Sequence, residues 1–151
     1  MLRVFCLVFG YVFGLFQTGY LYGRMNHIDI RNYGSGNSGT TNALRVLGKK
    51  AGLIVFIGDF FKMVLACLLV RIFLKGDPNT DLYVLYTGLG VVMGHNFPFY
   101  LGFKGGKGIA SMAGLLVSMD WRVTLVCAAV FLGTVIITRY VSLGSIFVVI
   151  L

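Results

Sequence analysis

The sequence predicts an all-α fold, a polytopic membrane helical bundle in one domain over residues 1–151, on three observations. Of its 151 residues, 58% are hydrophobic and only 12% charged, and its mean hydropathy is +0.87, far from the composition of soluble domains. Apolar runs recur along the whole chain, several of a length that crosses a bilayer, and give about five to six expected membrane segments. Most basic residues fall between those runs, which is the pattern of membrane topology. The formal net charge of +8 therefore reads as topology plus binding of small anions, and no nucleic-acid partner is expected. Cys6, Cys67 and Cys127 each lie inside an apolar run without ligand or Cys-x-x-Cys spacing. They read as small packing residues, with no metal and no other cofactor expected.

Leu2 to Tyr22 is the first expected span, too long for a signal-peptide core and read as retained. Its Gly10/Gly14 and Gly19/Gly23 pairs allow another helix to approach closely, and Gln17, the one polar interruption, should face protein. The loop from Arg24 to Lys50 carries five basic residues, Arg24, Arg31, Arg45, Lys49 and Lys50, against Asp29 alone. The positive-inside rule makes it cytoplasmic and puts the N-terminus outside. Leu53 to Phe73 is the second span and holds Asp59 and Lys62 on one helical face. Two readings stand for that pair: mutual neutralisation inside the bundle, or a border of the polar site that positions its arginines.

The turn Lys75 to Asp81 contains one lysine, two aspartates and Pro78, which suits the external side. Leu82 to Leu101 returns through the membrane with Gly90/Gly94 for packing. His95, beside Pro98, reads either as a helix-end cap or as catalytic support. Ile109 to Met119 is short for a full span and suits a tilted or partly buried helix. Asp120-Trp121-Arg122 reads as an interfacial anchor. Val123 to Thr138 returns inward to Arg139-Tyr140, and Thr138, Ser142 and Ser145 share a face if helical. The chain stops within the apolar run Val141 to Leu151, and a chain shortened at its C-terminus is the expectation.

The polar centre of the sequence is Arg31 to Arg45. Glycines at 34, 36 and 39, hydroxyls and amides from Ser35 to Asn42, an arginine at each end and no carboxylate make the chemistry of an oxyanion nest. Phe103-Lys104-Gly105-Gly106-Lys107-Gly108 repeats it with lysines. Two spans separate these stretches, so both emerge on one face and can form one site. The glycine string from Gly34 to Gly39 is not a dinucleotide fingerprint, because no strand or βαβ unit surrounds it. Gly106-Lys107 is not a P-loop, since Leu101 replaces the first glycine and Gly108 the Ser/Thr. No Gly-x-Ser-x-Gly elbow or triad is present. Neither histidine is followed five residues later by Asp, the spacing used by thioester-dependent glycerolipid acyltransferases.

The segment Gly34 to Arg45 resembles the first motif of the acyl-phosphate-dependent glycerol-3-phosphate acyltransferase family (PlsY type). Gly94-His95-Asn96-Phe97-Pro98 with Phe103 to Ser111 resembles the second. Thr138 to Ile146 resembles a later serine-containing segment, and Asp59 and Lys62 fall where the family tends to carry Asp-x-x-Lys. The family's third motif, His-x-x-Asn-Ile-x-Arg-Leu, has no match in the chain. The resemblance implies transfer of a fatty acyl group from acyl phosphate to the 1-hydroxyl of glycerol 3-phosphate, the first acylation of bacterial phospholipid synthesis. It implies a multi-pass protein of the bacterial cytoplasmic (inner) membrane with a cytoplasmic active site. Acyl phosphate, glycerol 3-phosphate, membrane lipid and the enzyme that makes acyl phosphate are its implied partners. It assigns catalytic roles to Ser35, Arg45, Lys104 and Ser142. It assigns substrate or phosphate binding to Gly36, Asn37, Gly39, Thr41, Asn42, His95, Gly105, Gly106, Lys107 and Gly108. A transporter of phosphate-bearing solutes and an inactive truncated homologue are the alternatives. The first is disfavoured because a transporter places its site near the midplane between repeats, and no repeat is visible.

Overall fold

A computed structural model describes residues 1–150. Among them are eight α-helices, two short 3-10 turns and no strand. The helices are α1 (Leu2–Gly14), α2 (Thr18–Met25), α3 (Thr40–Leu47), α4 (Lys49–Phe73), α5 (Thr80–Asn96), α6 (Ile109–Met119), α7 (Trp121–Thr138) and α8 (Val141–Ile150). Three helical stretches are long and apolar enough to cross a membrane: Leu2–Met25, Lys49–Phe73 and Trp121–Thr138. At 1.5 Å per residue α4 is about 37 Å long, against a hydrocarbon core of about 30 Å. α5, α6 and α8 are shorter, with 17, 11 and 10 residues.

The expected continuous first span is corrected in one respect. Leu2–Met25 is not one helix but two, broken at Leu15–Gln17. A break inside an apolar run frees carbonyls that lipid cannot satisfy, so protein donors must meet them. They do: Gln17 Nε2 donates to Gly14 O at 3.2 Å, Tyr100 Oη to Leu15 O at 2.6 Å and Lys62 Nζ to Phe16 O at 2.7 Å.

The Gly10/Gly14 and Gly90/Gly94 pairs pack as their spacing predicts, whereas Gly19 and Gly23, expected to admit a helix, lie against the backbone of the first loop at Ser38 O and Ile28 O. A Cβ on Gly10 would lie 2.0 Å from Thr87 O, and one on Gly14 2.3 Å from Val91 O. From the other side, a Cβ on Gly90 would lie 2.1 Å from Leu7 O and one on Gly94 2.2 Å from Tyr11 O. α1 and α5 therefore touch backbone to backbone. Cys6, Met63, Cys67, Val84 and Val91 fill the core between α1, α4 and α5, and all three cysteines are free and buried.

At the end where α4 finishes, Arg71 bonds Asp81 at 2.7 Å and Ser118 O at 2.9 Å, joining α4, α5 and α6. The opposite ends of these helices adjoin the two glycine-rich loops, so the chain order brings both loops to one end. α7 and α8 form a hairpin through Arg139, whose φ is 63°, with Gly144 against Phe131 and Val135. Asp120 caps α7, accepting from Arg122 N at 2.7 Å.

Candidate active site

The site grows from the helix break. Gln17 is 1% exposed, and its two N–H groups are shared among Gly14 O, Gly94 O (3.3 Å) and His95 O (2.9 Å). Its Oε1 accepts from Ser38 Oγ at 3.2 Å. One amide thus fastens the first glycine loop to the end of α5, from which the second loop departs. Sequence reasoning placed Gln17 against protein but gave it no part in the site. Its signal was a lone polar residue in an apolar run.

Asn42 organises the first loop from within. Its Nδ2 donates to Ile30 O (3.1 Å), Tyr33 O (3.0 Å) and Asn37 O (2.8 Å), and its Oδ1 accepts from Ser35 N (2.9 Å). That uses the capacity of the amide on the loop itself. Gly34 and Gly36, at φ 60° and 72°, take the left-handed turns that wrap the backbone around it. The wrapped loop leaves Ser35, Gly36, Thr41 and Arg45 exposed and Asn37 and Gly39 partly so. Thr41 and Arg45 are four residues apart on α3 and share its outer face.

Two bonds join the loops directly. Asn37 Nδ2 donates to Gly105 O at 3.2 Å, while its Oδ1 accepts from Gly39 N at 2.9 Å. Arg31 donates from Nη1 to Leu101 O at 3.0 Å and pairs with Asp29 through Nε at 3.0 Å and Nη2 at 2.7 Å. Its guanidinium also lies 5.1 Å from the centroid of the Tyr20 ring. Arg31 is therefore a neutralised strut. Those two hydrogen bonds hold the Asp29 carboxyl below the usual carboxylate range.

In the second loop, the expectation that the Gly105 and Gly106 amides face phosphate meets a different geometry. Gly105 N donates to Asn96 O and Gly106 N to His95 O, both at 3.0 Å. The helix-end carbonyls of α5 need donors, and these amides supply them. Lys104 and Lys107 are exposed on either side of the glycine pair, and Gly108 opens α6 at φ 75°.

Beneath the second loop lies a buried polar cluster. Lys62 Nζ is 2.9 Å from Asp59 Oδ1 and 2.8 Å from His95 Nδ1. Thr18 Oγ1 donates to Asp59 Oδ1 at 3.1 Å. Asp59, Lys62 and His95 are 2%, 7% and 3% exposed. His95 is thus inside the bundle, under the loop. The Asp59–Lys62 pair is mutually neutralised there, and its described side-chain contacts are with Thr18, Gly14 O, Phe16 O and His95 rather than with the arginines it was expected to position.

Ser142 stands apart. It is exposed on α8, and no described contact brings it to either loop. The face expected to be shared by Thr138, Ser142 and Ser145 does not form, because the helix breaks at Arg139–Tyr140. Thr138 ends α7 with its Oγ1 donating to Thr134 O at 2.7 Å, and Ser145 lies on α8 with its Oγ donating to Val141 O at 3.0 Å.

Comparison with known proteins agrees with this geometry. A family model described as glycerol-3-phosphate acyltransferase matches residues 4–151. A glycerol-3-phosphate acyltransferase of Prochlorococcus marinus (strain NATL1A) is 42% identical over 146 residues, covering 96% of this chain and 72% of the relative. One from Clostridioides difficile (strain 630) is 44% identical over 141 residues, covering 92% and 69%. The crystal structure of PlsY (YgiH), an integral membrane glycerol 3-phosphate acyltransferase, in its glycerol 3-phosphate form matches with a TM-score of 0.88 at 38% identity, over 98% of this chain and 72% of that one. Its lysophosphatidic acid form matches with a TM-score of 0.85 at 37% identity, over the same shares. An all-helical membrane chain with two joined glycine loops, matched along nearly its whole length by these proteins, belongs to the glycerol-3-phosphate acyltransferase family.

Proposed function

We propose that this chain transfers a fatty acyl group from acyl phosphate to the 1-hydroxyl of glycerol 3-phosphate, giving lysophosphatidate and inorganic phosphate. The observation that carries the reading is the junction of the two glycine loops. The Asn37–Gly105 bond joins the loop that carries exposed Ser35, and leads into α3 with exposed Thr41 and Arg45, to the loop that carries exposed Lys104 and Lys107. Two phosphate-bearing substrates repel each other, and cations on both loops offset that repulsion while holding hydroxyl and carbonyl together.

In this account the glycerol oxygen attacks the acyl carbonyl carbon, the carbon–oxygen bond to phosphate breaks, and phosphate leaves. Acyl phosphate is a mixed anhydride, so no covalent enzyme nucleophile is required. The hydroxyl proton passes to a phosphate oxygen of a substrate, in keeping with a site that offers exposed cations and hydroxyls but no exposed carboxylate. Ser35, Thr41, Arg45, Lys104 and Lys107 meet the substrates. Gly36, Gly39 and Gly108 shape the backbone around them. Asn37, Asn42, His95, Gly105 and Gly106 hold the loops in place, and Ser142, which no described contact brings to either loop, is given a hydroxyl role by the family resemblance alone. The site faces the cytoplasm at the inner membrane, where the basic residues of the first loop would sit by the positive-inside rule, with the N-terminus outside. The acyl tail lies among the helices, in contact with membrane lipid, and the enzyme that forms acyl phosphate is a natural neighbour.

Donor choice tests the reading. Purified protein in bilayers should convert labelled glycerol 3-phosphate to lysophosphatidate with acyl phosphate and not with an acyl thioester. Equal use of the thioester, or none of either, would remove it.

A further inference from the structure

The geometry points to Asp59, Lys62 and His95 as a positioning unit that sets the second glycine loop against the first from inside the membrane bundle. The inference deepens the proposed function, since the loop it positions carries Lys104 and Lys107, which are given there to the substrates. Lys62 has three N–H donors and no acceptor. As an ammonium facing the Asp59 carboxylate at 2.9 Å, it donates to His95 Nδ1 at 2.8 Å and to Phe16 O at 2.7 Å. That fixes the neutral imidazole with its proton on Nε2 and fixes the ring plane. Nε2 then lies directly under Gly106, where an added Cβ would come within 1.9 Å of it. The backbone O of the same histidine accepts from both Gly106 N and Gln17 Nε2.

The ring is therefore a spacer with one allowed orientation, and the glycine at 106 is the residue that lets the loop rest on it. Asp59 is braced in turn: Thr18 Oγ1 holds its carboxylate at 3.1 Å and Ser111 Oγ holds its main-chain oxygen at 3.1 Å. The chain of contacts runs from α6 through α4 and the α1–α2 break to α5 and the loop. A purely structural ion pair could sit anywhere on the α4–α5 interface. This one is aimed at the ring that supports the lysine-bearing loop.

The test uses the whole chain in detergent, with the double variant Asp59→Asn/Lys62→Met. It removes both charges together, so neither is left buried without a partner. Amide exchange of the peptide spanning residues 98–112 is read against that of α4, alongside thermal unfolding and glycerol 3-phosphate turnover. The expected result is exchange at Gly105 and Gly106 faster by about tenfold, with α4 exchange held and the unfolding temperature lowered only by what the loss of the Lys62 donor to Phe16 O costs. A raised KM for glycerol 3-phosphate accompanies it. Unchanged exchange in the loop overturns the inference, and so does faster exchange spread evenly over all helices. If the double variant does not fold, His95→Asn replaces it. This variant leaves Lys62 an acceptor but removes the ring under Gly106, and the same two readouts decide. The exchange readout needs no catalysis, so an inactive wild-type protein would count against the proposed function and not against this inference.

Discussion

Replacing Gln17 by Met keeps the length and volume of the side chain and removes only its polar end. The loss can be worked through partner by partner. Gly14 O retains Lys62 Nζ at 3.5 Å, and His95 O retains Gly106 N at 3.0 Å. Gly94 O has no such substitute, because residue 98, whose N–H would close the next helical bond, is proline. Ser38 Oγ, 1% exposed with its residue, loses the acceptor it has at 3.2 Å. One orphaned carbonyl and one orphaned hydroxyl in a dry interior cost about 2–4 kcal/mol. Equilibrium unfolding of the purified protein in mixed micelles measures the difference. Ser38→Ala, which removes the hydroxyl outright, should cost less. In a double-mutant cycle the pair should couple by about 0.5–1.5 kcal/mol. If Gln17→Met lay within about 0.5 kcal/mol of wild type, the idea that this amide holds the helix break to the loops would be refuted.

Gly90→Ala should destabilise by about 1–3 kcal/mol or more, since its Cβ would meet Leu7 O at 2.1 Å and Tyr11 N at 2.8 Å, both backbone atoms. Gly133→Ala in α7, with nothing within 4 Å, should be neutral or stabilising by up to about 1 kcal/mol, and the same micelle unfolding assay ranks the two. The Asp29 carboxyl lies below its ordinary range because Arg31 bonds it. Its contribution is therefore complete above the ordinary carboxylate range of about 4 and is lost as pH falls through the lower folded value. Limited proteolysis of the first loop should be unchanged from pH 7 to 5 and rise only in stronger acid, while Asp29→Asn should raise it at neutral pH. Ser142→Ala should lower turnover without changing unfolding. An unaltered rate would remove Ser142 from the site.

Much of this was legible in the sequence because membrane helices announce themselves by length and polarity. The α6 bounds, Ile109 to Met119, coincide with the apolar run, and α4 differs from its expected span only in starting at Lys49. The Gly10/Gly14 and Gly90/Gly94 spacings showed that each pair packs closely but not that the two pack on each other. Pairing is a tertiary fact. The break at Leu15–Gln17 was hidden because mean hydropathy does not register a single glutamine, and the carbonyls it frees are satisfied by Lys62 and Tyr100, 46 and 85 positions away. The two glycine loops were visible by composition alone. The division of labour within them was not, because glycine amides that bind an anion and glycine amides that cap a helix end look identical in sequence. Gly105 and Gly106 do the second. Asn42 looked like a ligand for substrate for the same reason: an amide that organises a loop and one that binds a phosphate carry the same atoms.

The central claim is that the two loops make one site, and the most direct measurement is a rate cycle. Lysophosphatidate formation from acyl phosphate and glycerol 3-phosphate would be followed for wild type, Arg45→Ala, Lys104→Ala and the double variant. Each single variant should lose about a hundredfold or more, and the double should lose much less than the product of the two, because the cations act on one pair of substrates. Losses that multiply in full, or a rate left intact by either single variant, would contradict a shared site.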